Sequence, residues 1–161
     1  MSVSKSSPSR VRAVKRSFAR QGFMAHLGVK LFRIGHGTTE LRLPRRPGLL
    51  QQHGYFHGGA IATIADVAGG YAAYSLMGDE DSVLTVEFKL NLIAPGDGEE
   101  LRARGHVIRS GRTLTVTRAD VFAVKDGREI MCATALQTLI RLAGRPDGLA
   151  KKQSRQGKKQ R

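Results

Sequence analysis

The sequence has a single cysteine and no long apolar run, and both absences limit what the protein can be. One thiol cannot form an internal disulfide, and Cys132 lies in an apolar stretch, so we interpret it as a core residue and not as a nucleophile. No segment approaches the roughly 18 uncharged apolar residues of a membrane-spanning helix. The first residues lack the apolar run of a secretory signal. These features predict a soluble, cytoplasmic protein without an integral membrane segment.

Acidic residues are also scarce, but they are missing mainly from the two ends of the chain. The whole sequence carries 13 acids and 27 bases, a net charge of +14. Residues 1–20 contain six bases and no acid, residues 141–161 contain eight bases and one acid, and residues 21–140 contain thirteen bases and twelve acids. Nucleic-acid-binding domains carry positive charge on the folded body. The nearly neutral body therefore predicts no specific nucleic-acid partner.

The composition of the two ends predicts the domain boundaries. Residues 145–161 contain almost nothing apolar and cannot bury enough surface to offset the entropy of ordering them. We therefore predict a disordered basic tail over residues 144–161 and a disordered N-terminus over residues 1–8. A single domain over residues 9–143 lies between them, which suits the usual size of one hydrophobic core.

The first part of this domain predicts a basic amphipathic helix over residues 9–26. Val11, Val14 and Phe18 recur at helical spacing among arginines and lysines. The simplest interpretation is a helix that packs on the domain with its bases in solvent. Contact with a membrane surface, contact with an acidic partner and an organellar transit function remain alternatives.

The centre of the sequence predicts one buried helix. Residues 57–76 are rich in alanine, contain one charged residue and are apolar on nearly every face. Such a helix has to be enclosed, and the simplest enclosure is a curved antiparallel sheet. The predicted fold class is therefore α+β, with a long central helix wrapped by five to six strands and an extra helix at the N-terminus.

The remaining segments have the patterns of strands. Residues 29–43 predict a strand pair or one long bent strand, because Gly35 and Gly37 mark a bend. After the helix, apolar residues alternate with polar ones in a half-buried strand, at Leu84, Val86, Phe88, Leu90 and Leu92. Three more strands follow at about residues 101–109, 113–124 and 129–140, separated by Ser110-Gly111 and Asp126-Gly127. Both dipeptides suit tight hairpin turns, so the second half predicts an antiparallel meander.

His57, Gly58 and Gly59 stand where a loop meets the predicted buried helix. Backbone N–H groups in the first turn of a helix have no partner inside it, and glycines let a ligand approach them closely. These donors and the positive end of the helix dipole form a site for developing negative charge. The segment is a candidate oxyanion site, although a histidine that only caps or packs would have the same sequence.

Asp66 is the one charged residue of the predicted helix. A buried carboxylate without a partner costs several kcal/mol. One interpretation is a polar residue hydrogen-bonded to a strand. The other is a catalytic carboxylate that attacks the substrate or activates water.

The spacing of Gly59 and Asp66 constrains how both could act. Seven residues in one helix correspond to about 10 Å along its axis, almost two turns apart on the same face. One bound carbonyl cannot contact both. If both act, the Asp66 that serves a given oxyanion site comes from a second copy of the chain, so we predict a homodimer with shared sites.

Gly69 and Gly70 lie in the middle of the predicted helix, where each costs about 1 kcal/mol relative to alanine. Close approach of a strand or of a partner helix would compensate for this cost. We therefore interpret both as packing residues and not as a phosphate-binding loop.

Taken together, these residues resemble the hotdog-fold acyl-coenzyme A thioesterases of the phenylacetic-acid-degradation (PaaI-like) type. The resemblance extends from about residue 20 to residue 140. It depends on the following motifs: His57-Gly58-Gly59, Asp66, Gly69-Gly70-Tyr71-Ala72, Thr85-Val86-Glu87-Phe88 and Pro95-Gly96.

The resemblance implies roles for individual residues. Gln51, six positions before the histidine, matches a family amide that holds the substrate or water, and Thr85 matches a hydroxyl residue near the aspartate of the same subunit. Asp66, Gly59 and His57 complete the catalytic set, and Gly58, Thr63 and Val86 are the implied substrate contacts. The family also implies coenzyme A thioesters as substrates, no cofactor, no metal, and homodimers that often pair into homotetramers.

Two other functions are weighed against hydrolysis. A non-catalytic acyl-coenzyme A sensor would use the same pocket and contact nucleic acid through the basic ends. A hotdog dehydratase would need a histidine paired with a carboxylate, and no such pattern is found in the sequence. Bases that could contact nucleotide phosphates are Arg45, Arg46, Arg109 and Arg112, although an ordinary surface position is the favoured interpretation of each.

Overall fold

A computed structural model describes residues 7–147, which contain three α-helices and one six-stranded sheet. The helices are α1 (Pro8–Ala19), α2 (Gly22–Leu27) and α3 (Gly58–Tyr74), and a short 3₁₀ turn covers Pro47–Leu49. The strands are β1 (Lys30–Gly35), β2 (Thr38–Pro44), β3 (Ser82–Leu92), β4 (Glu100–Ser110), β5 (Leu114–Lys125) and β6 (Arg128–Leu142). Among these residues no helix combines the length and apolarity needed to cross a bilayer.

The sheet is antiparallel throughout and wraps around α3. Its strand order is β1-β2-β4-β5-β6-β3, and α3 packs against β2, β3, β4, β5 and β6. The helix and the sheet come close together at Ala68, whose carbonyl accepts a hydrogen bond from the Thr39 hydroxyl at 2.5 Å. A side chain at Gly105 would overlap the same carbonyl, so only glycine lets β4 come so close to the helix. This arrangement confirms the predicted hotdog architecture.

The predicted strands and turns agree with the structure in type and position. The segment before the helix is a pair of strands, and Asp126 and Gly127 both have positive φ, 51° and 74°, as a two-residue hairpin turn requires. Cys132 is fully buried, and burial raises the pKa of its thiol to about 11. The predicted core role of this cysteine is confirmed.

The N-terminal helix is not one continuous element, and this part of the prediction is wrong. It ends at Ala19 and a second helix begins at Gly22. Gln21 has extended backbone angles, and its amide donates to the hydroxyl of Tyr71 at 3.0 Å. Gly22 follows directly, and a glycine inside a helix costs about 1 kcal/mol relative to alanine. Interrupting the helix beside it therefore loses little stability. Val14 and Met24 are buried, which shows that both helices pack on the domain.

Arg10 is an exception to the expectation that the bases of this helix point into solvent. Its side chain is buried and donates to the carbonyl of Tyr74 at 2.6 Å and to the carbonyl of Gly78 at 3.0 Å. Carbonyls at the end of a helix lack partners and carry partial negative charge. Arg10 therefore caps the C-terminal end of α3.

Strand β3 forms an edge of the sheet, and the prediction that it is half-buried is wrong. Leu84, Val86, Phe88 and Leu92 are between 41% and 58% exposed. The strand pairs with β6 on one side, and no other described strand covers its second side. A long edge with exposed apolar side chains is a template for pairing with another chain.

The ends of the described region modify the expected boundaries. Helix α1 begins at Pro8, and the Ser7 side chain accepts a hydrogen bond from the Arg10 N–H. At the other end Asp147 forms an ion pair with Arg20 at 2.9 Å, so contacts with the domain continue past residue 143. The rest of the two predicted disordered segments, residues 1–6 and 148–161, lies outside the described residues.

Candidate active site

Asp66 lies halfway along α3, and its carboxylate is held from one side. The Thr85 hydroxyl donates to Asp66 Oδ1 at 2.8 Å, and the Gln137 amide donates to the same oxygen at 2.9 Å. Asp66 Oδ2 accepts no hydrogen bond from any residue between 7 and 147. The side chain is half-buried. One carboxylate oxygen is therefore fixed, and the other is left for a substrate or a water molecule.

A β-bulge in β3 directs Thr85 at Asp66. The pairing register between β3 and β6 shifts between Thr85 and Glu87. Thr85 contacts α3, Phe88 lines a cavity together with α3 residues, and Glu87 instead contacts Thr138 on the other side of the sheet. In a regular strand, residues three apart point to opposite faces. The extra residue at the bulge puts Thr85 and Phe88 on the same face.

The start of α3 is capped by His57. The His57 Nδ1 accepts a hydrogen bond from the Gly59 N–H at 2.9 Å, and both residues are exposed. The predicted oxyanion donor is therefore occupied by the histidine in this state of the chain. The N–H of Gly58 forms no hydrogen bond with the described residues, as expected for the first residue of a helix. The Thr63 hydroxyl donates to the Gly59 carbonyl one turn later, at 2.8 Å.

Gln51 lies in the loop that leads to the helix. Its backbone N–H donates to Tyr55 and its carbonyl accepts from Gly54, so the loop closes on itself. The N–H of His57 donates to the Leu49 carbonyl at 2.8 Å, which brings the loop back beside the start of α3. The Gln51 side chain is half-buried and has no hydrogen-bond partner within the described part of the chain.

Two cavities adjoin Asp66. The first, of about 340 Å³, lies between α1, α3 and the start of β3, and Thr85 and Gly70 line it. The second, of about 360 Å³, lies between α2, α3 and Phe88, and Thr63 lines it. Asp66, Val67 and Gln21 line both cavities. The N-terminal helices therefore form part of the wall around the carboxylate.

One wall of the first cavity is polar. The hydroxyls of Ser17 and Tyr71 share a hydrogen bond at 3.0 Å, and Gln21 donates to the same Tyr71 oxygen. Burial raises the pKa of Tyr71 to about 12. The phenol is therefore neutral near pH 7 and can donate as well as accept a hydrogen bond.

The structure brings only some of the predicted site residues together. Asp66 and Thr85 share the first cavity, and Asp66 and Thr63 share the second. Neither cavity is lined by the remaining candidates, which are Gln51, His57, Gly58, Gly59 and Val86. A single chain thus contains two separate halves of the predicted site, one at the start of α3 and one at its middle.

The arginines considered for nucleotide phosphates differ in their contacts. The Arg45 side chain donates to the carbonyls of Gly54 and Gly98, and Arg46 donates to the carbonyl of His26, so both stabilise loops. Arg109 and Arg112 are exposed. Within residues 7–147 no group of three or more His, Cys, Asp or Glu side chains is arranged to hold a metal ion.

Sequence reasoning missed Gln137, the second donor to Asp66. It lies on β6 and is fully buried. The signal was present, because Ala133, Ala135, Gln137 and Leu139 alternate on the buried face of that strand. A single polar residue in such a row has to be satisfied from inside the core.

Gly69 and Gly70 differ from each other, although the sequence suggests one role for both. A side chain at Gly69 would overlap the Gln137 amide and lie 2.6 Å from the Thr117 hydroxyl oxygen, so its predicted packing role is confirmed. A side chain at Gly70 would meet only Leu139, at 3.8 Å. Gly70 lines the first cavity instead.

Comparison with known proteins identifies the family. Residues 53–130 match the family model described as the thioesterase superfamily. The crystal structure of a thioesterase family protein from Silicibacter pomeroyi is 46% identical, covers 84% of this chain and 99% of its own, and superposes with a TM-score of 0.82. The chain belongs to the thioesterase superfamily. It is a thioester hydrolase, and the resemblance noted from the His-Gly-Gly and Asp66 motifs is confirmed.

Solved structures of lower identity share the fold. A thioesterase from Haemophilus influenzae is 21% identical over 78% of this chain and 86% of its own, with a TM-score of 0.71. The PaaI protein of E. coli, from the phenylacetic acid degradation operon, is 18% identical over 88% of this chain and 99% of its own, with a TM-score of 0.78. At these identities the likeness concerns the architecture alone.

Proposed function

We propose that the protein hydrolyses acyl-coenzyme A thioesters and that Asp66 is the catalytic carboxylate. The proposal depends on one observation: the two carboxylate oxygens of Asp66 differ in their hydrogen bonds. Oδ1 is fixed by two donors, and Oδ2 is left without a donor from the described residues beside two cavities. A carboxylate in this position is oriented to attack a thioester carbonyl or to take a proton from an attacking water.

The proposed active site is shared between two subunits. Gly59 and Asp66 belong to one unbroken helix, which keeps them about 10 Å apart along its axis. The exposed apolar edge of β3 supports a homodimer, because a two-fold axis would let the same strand of two copies pair antiparallel. Two such dimers could associate into a tetramer. In either assembly the Asp66 of one subunit would serve the helix start of the other.

The helix start supplies the proposed oxyanion site. The thioester oxygen would accept from the Gly59 N–H after the imidazole of His57 releases it, and the free N–H of Gly58 lies one residue earlier. The Gln51 amide would complete this side of the pocket. Thr63 and Val86 remain the proposed contacts to the rest of the substrate.

The chemistry on the attacking side needs only groups that the chain supplies. In one route Asp66 takes a proton from a water molecule, which adds to the carbonyl carbon, and the carbon–sulfur bond then breaks to release the thiolate. In the other, Asp66 attacks the carbonyl carbon and displaces the thiolate, and water then hydrolyses the resulting acyl anhydride and regenerates the carboxylate. A thiol with a pKa of about 8.5 is a good leaving group, so no strong general acid is required. The proposal therefore uses no cofactor and no metal, and coenzyme A enters as part of the substrate. We place the reaction in the cytoplasm.

The test is release of free thiol from a panel of short, aromatic and long acyl-coenzyme A donors. We expect hydrolysis of at least one class by the unchanged protein and its loss in Asp66→Asn, which keeps the side-chain shape but removes the carboxylate. Asp97→Asn is the matched control, because Asp97 pairs with Lys125 at the surface and lines neither cavity. Tight acyl-coenzyme A binding with no thiol release from any donor would refute hydrolysis and favour the sensor function.

A further inference from the structure

Gln137 is buried where the sheet faces the middle of α3. In the strand register it lies between Thr117 of β5 and Phe88 of β3, and none of its surface is exposed. Its amide nitrogen donates to Asp66 Oδ1 at 2.9 Å and to the Asp66 backbone carbonyl at 3.2 Å. One side chain thus contacts both the carboxylate and the backbone of the same residue.

The chemistry of the partners fixes the orientation of the amide. A backbone carbonyl and a carboxylate are both acceptors, so the NH₂ end of Gln137 has to face Asp66. The oxygen end then points to Gly69. This Oε1 and the Thr117 hydroxyl oxygen are both buried and lack a hydrogen-bond partner among residues 7–147.

This arrangement is costly for a residue that only fills the core. A buried amide whose oxygen is unsatisfied destabilises a fold, and an apolar side chain of similar volume would avoid the penalty. Unsatisfied buried groups are rare in folded proteins, and a catalytic role is one of the recognised reasons for keeping them. Here the amide with the unsatisfied oxygen is also the second hydrogen-bond donor to the Asp66 carboxylate.

Gly69 makes the contact possible. A Cβ atom at this position would overlap Gln137 Oε1 and push the amide away from the helix. The Gln137 amide is tied to Asp66 by two hydrogen bonds, and its side chain is fully buried, so it cannot move out into solvent. Glycine at position 69 therefore allows the amide to reach a carboxylate three residues earlier in the helix.

We infer that Gln137 is a positioning residue for the reaction: its amide, admitted by Gly69, fixes Oδ1 of Asp66 so that Oδ2 faces the substrate. The inference depends on the proposed function, because it gives Asp66 the catalytic role. Gln137 itself touches no reacting atom. Its loss should therefore reduce the rate of the chemical step and leave substrate binding unchanged.

The first test replaces the amide with an apolar chain of similar length, Gln137→Met. We expect kcat to fall at least about 10-fold, which corresponds to about 1.4 kcal/mol of transition-state stabilisation, and KM to stay within about twofold. Thr39→Val is the matched control. It removes another buried hydrogen bond to an α3 carbonyl, that of Ala68, without touching Asp66. Its kcat should remain near that of the unchanged protein.

The second variant is Gly69→Ala, which keeps Gln137 but displaces its amide. We expect the same loss of kcat at unchanged KM, measured at a temperature where circular dichroism shows the variant folded. This variant decides the question if Gln137→Met does not fold. If either folded variant retains kcat within about twofold while Asp66→Asn is inactive, the positioning role is refuted. An equal loss in Thr39→Val would also refute it, because general loosening of α3 would then explain the effect.

The two proposals fail in different ways. Absence of thiol release by the unchanged protein with every donor would refute the proposed function and the role of Gln137 together. Normal hydrolysis that depends on Asp66 and not on Gln137 would refute the positioning role alone.

Discussion

The hydroxyl of Thr85 reaches Oδ1 of Asp66 at 2.8 Å from a strand position that regular alternation would turn away from the helix. The bulge before Glu87 changes which residues of β3 face α3, and it does so at the point where the carboxylate lies. Bulges next to active sites commonly re-aim a side chain in this way. The hydroxyl and the bulge therefore form one structural unit.

Thr85→Val should lower kcat about 10-fold or more, because a hydrogen bond to a charged group is lost while the strand keeps a β-branched residue. Thr85→Ser should retain most of the activity, since it keeps the hydroxyl. Steady-state kinetics with the best donor of the panel measure both. Equal rates for the valine and serine variants would show that the hydroxyl has no role.

A mixture of two inactive chains should regain activity if the site is shared. Asp66→Ala removes the carboxylate, and Gly59→Pro removes the N–H of the oxyanion site while the first turn of a helix tolerates proline. After unfolding and refolding together, a mixed dimer contains one intact site. We expect about a quarter of the unchanged activity for random pairing, since half of the dimers are mixed and each has one site of two. No recovery in dimers shown by mass spectrometry to be mixed would contradict the shared site.

Gly70→Ala should stabilise the protein, and Gly69→Ala should destabilise it. Alanine is favoured by about 1 kcal/mol inside a helix, and at position 70 its methyl group meets only Leu139 at 3.8 Å. At position 69 the same methyl group overlaps the Gln137 amide. Urea unfolding measures both free energies. Changes of the same sign and size would show that the two glycines are equivalent.

Stability should fall between about pH 10 and pH 12 partly because of Tyr71. The folded protein holds the pKa of this phenol at about 12, above its ordinary value of 10.0, so the folded state keeps a proton that the unfolded state loses. Its contribution is complete below pH 10 and is lost as the pH rises to 12. Tyr71→Phe should make the decline shallower, as measured by urea unfolding at a series of alkaline pH values. An unchanged slope would contradict the assignment.

The sequence predicted those parts of the molecule that depend on local pattern. A helix apolar on every face indicates burial, and Asp126-Gly127 indicates a hairpin, because each follows from neighbouring residues. The bulge at Thr85 could not be predicted, since the apolar alternation of β3 continues through it. The contact between Gln137 and Asp66 spans 71 positions and depends on how the sheet curves over α3. The break at Gln21 depends on Tyr71, which lies 50 positions further along the chain.

Because Arg10 caps the central helix, the residues that match the family model depend on a segment outside that match for their stability. The residues that match the family model begin at position 53, yet the carbonyls that end the central helix are satisfied from position 10. Cavity walls at Ser17 and Gln21 come from the same outlying segment. A chain shortened to the family core would lose its helix cap and its cavity wall in one step. The segment that differs most in charge from the rest of the domain is thus part of its architecture.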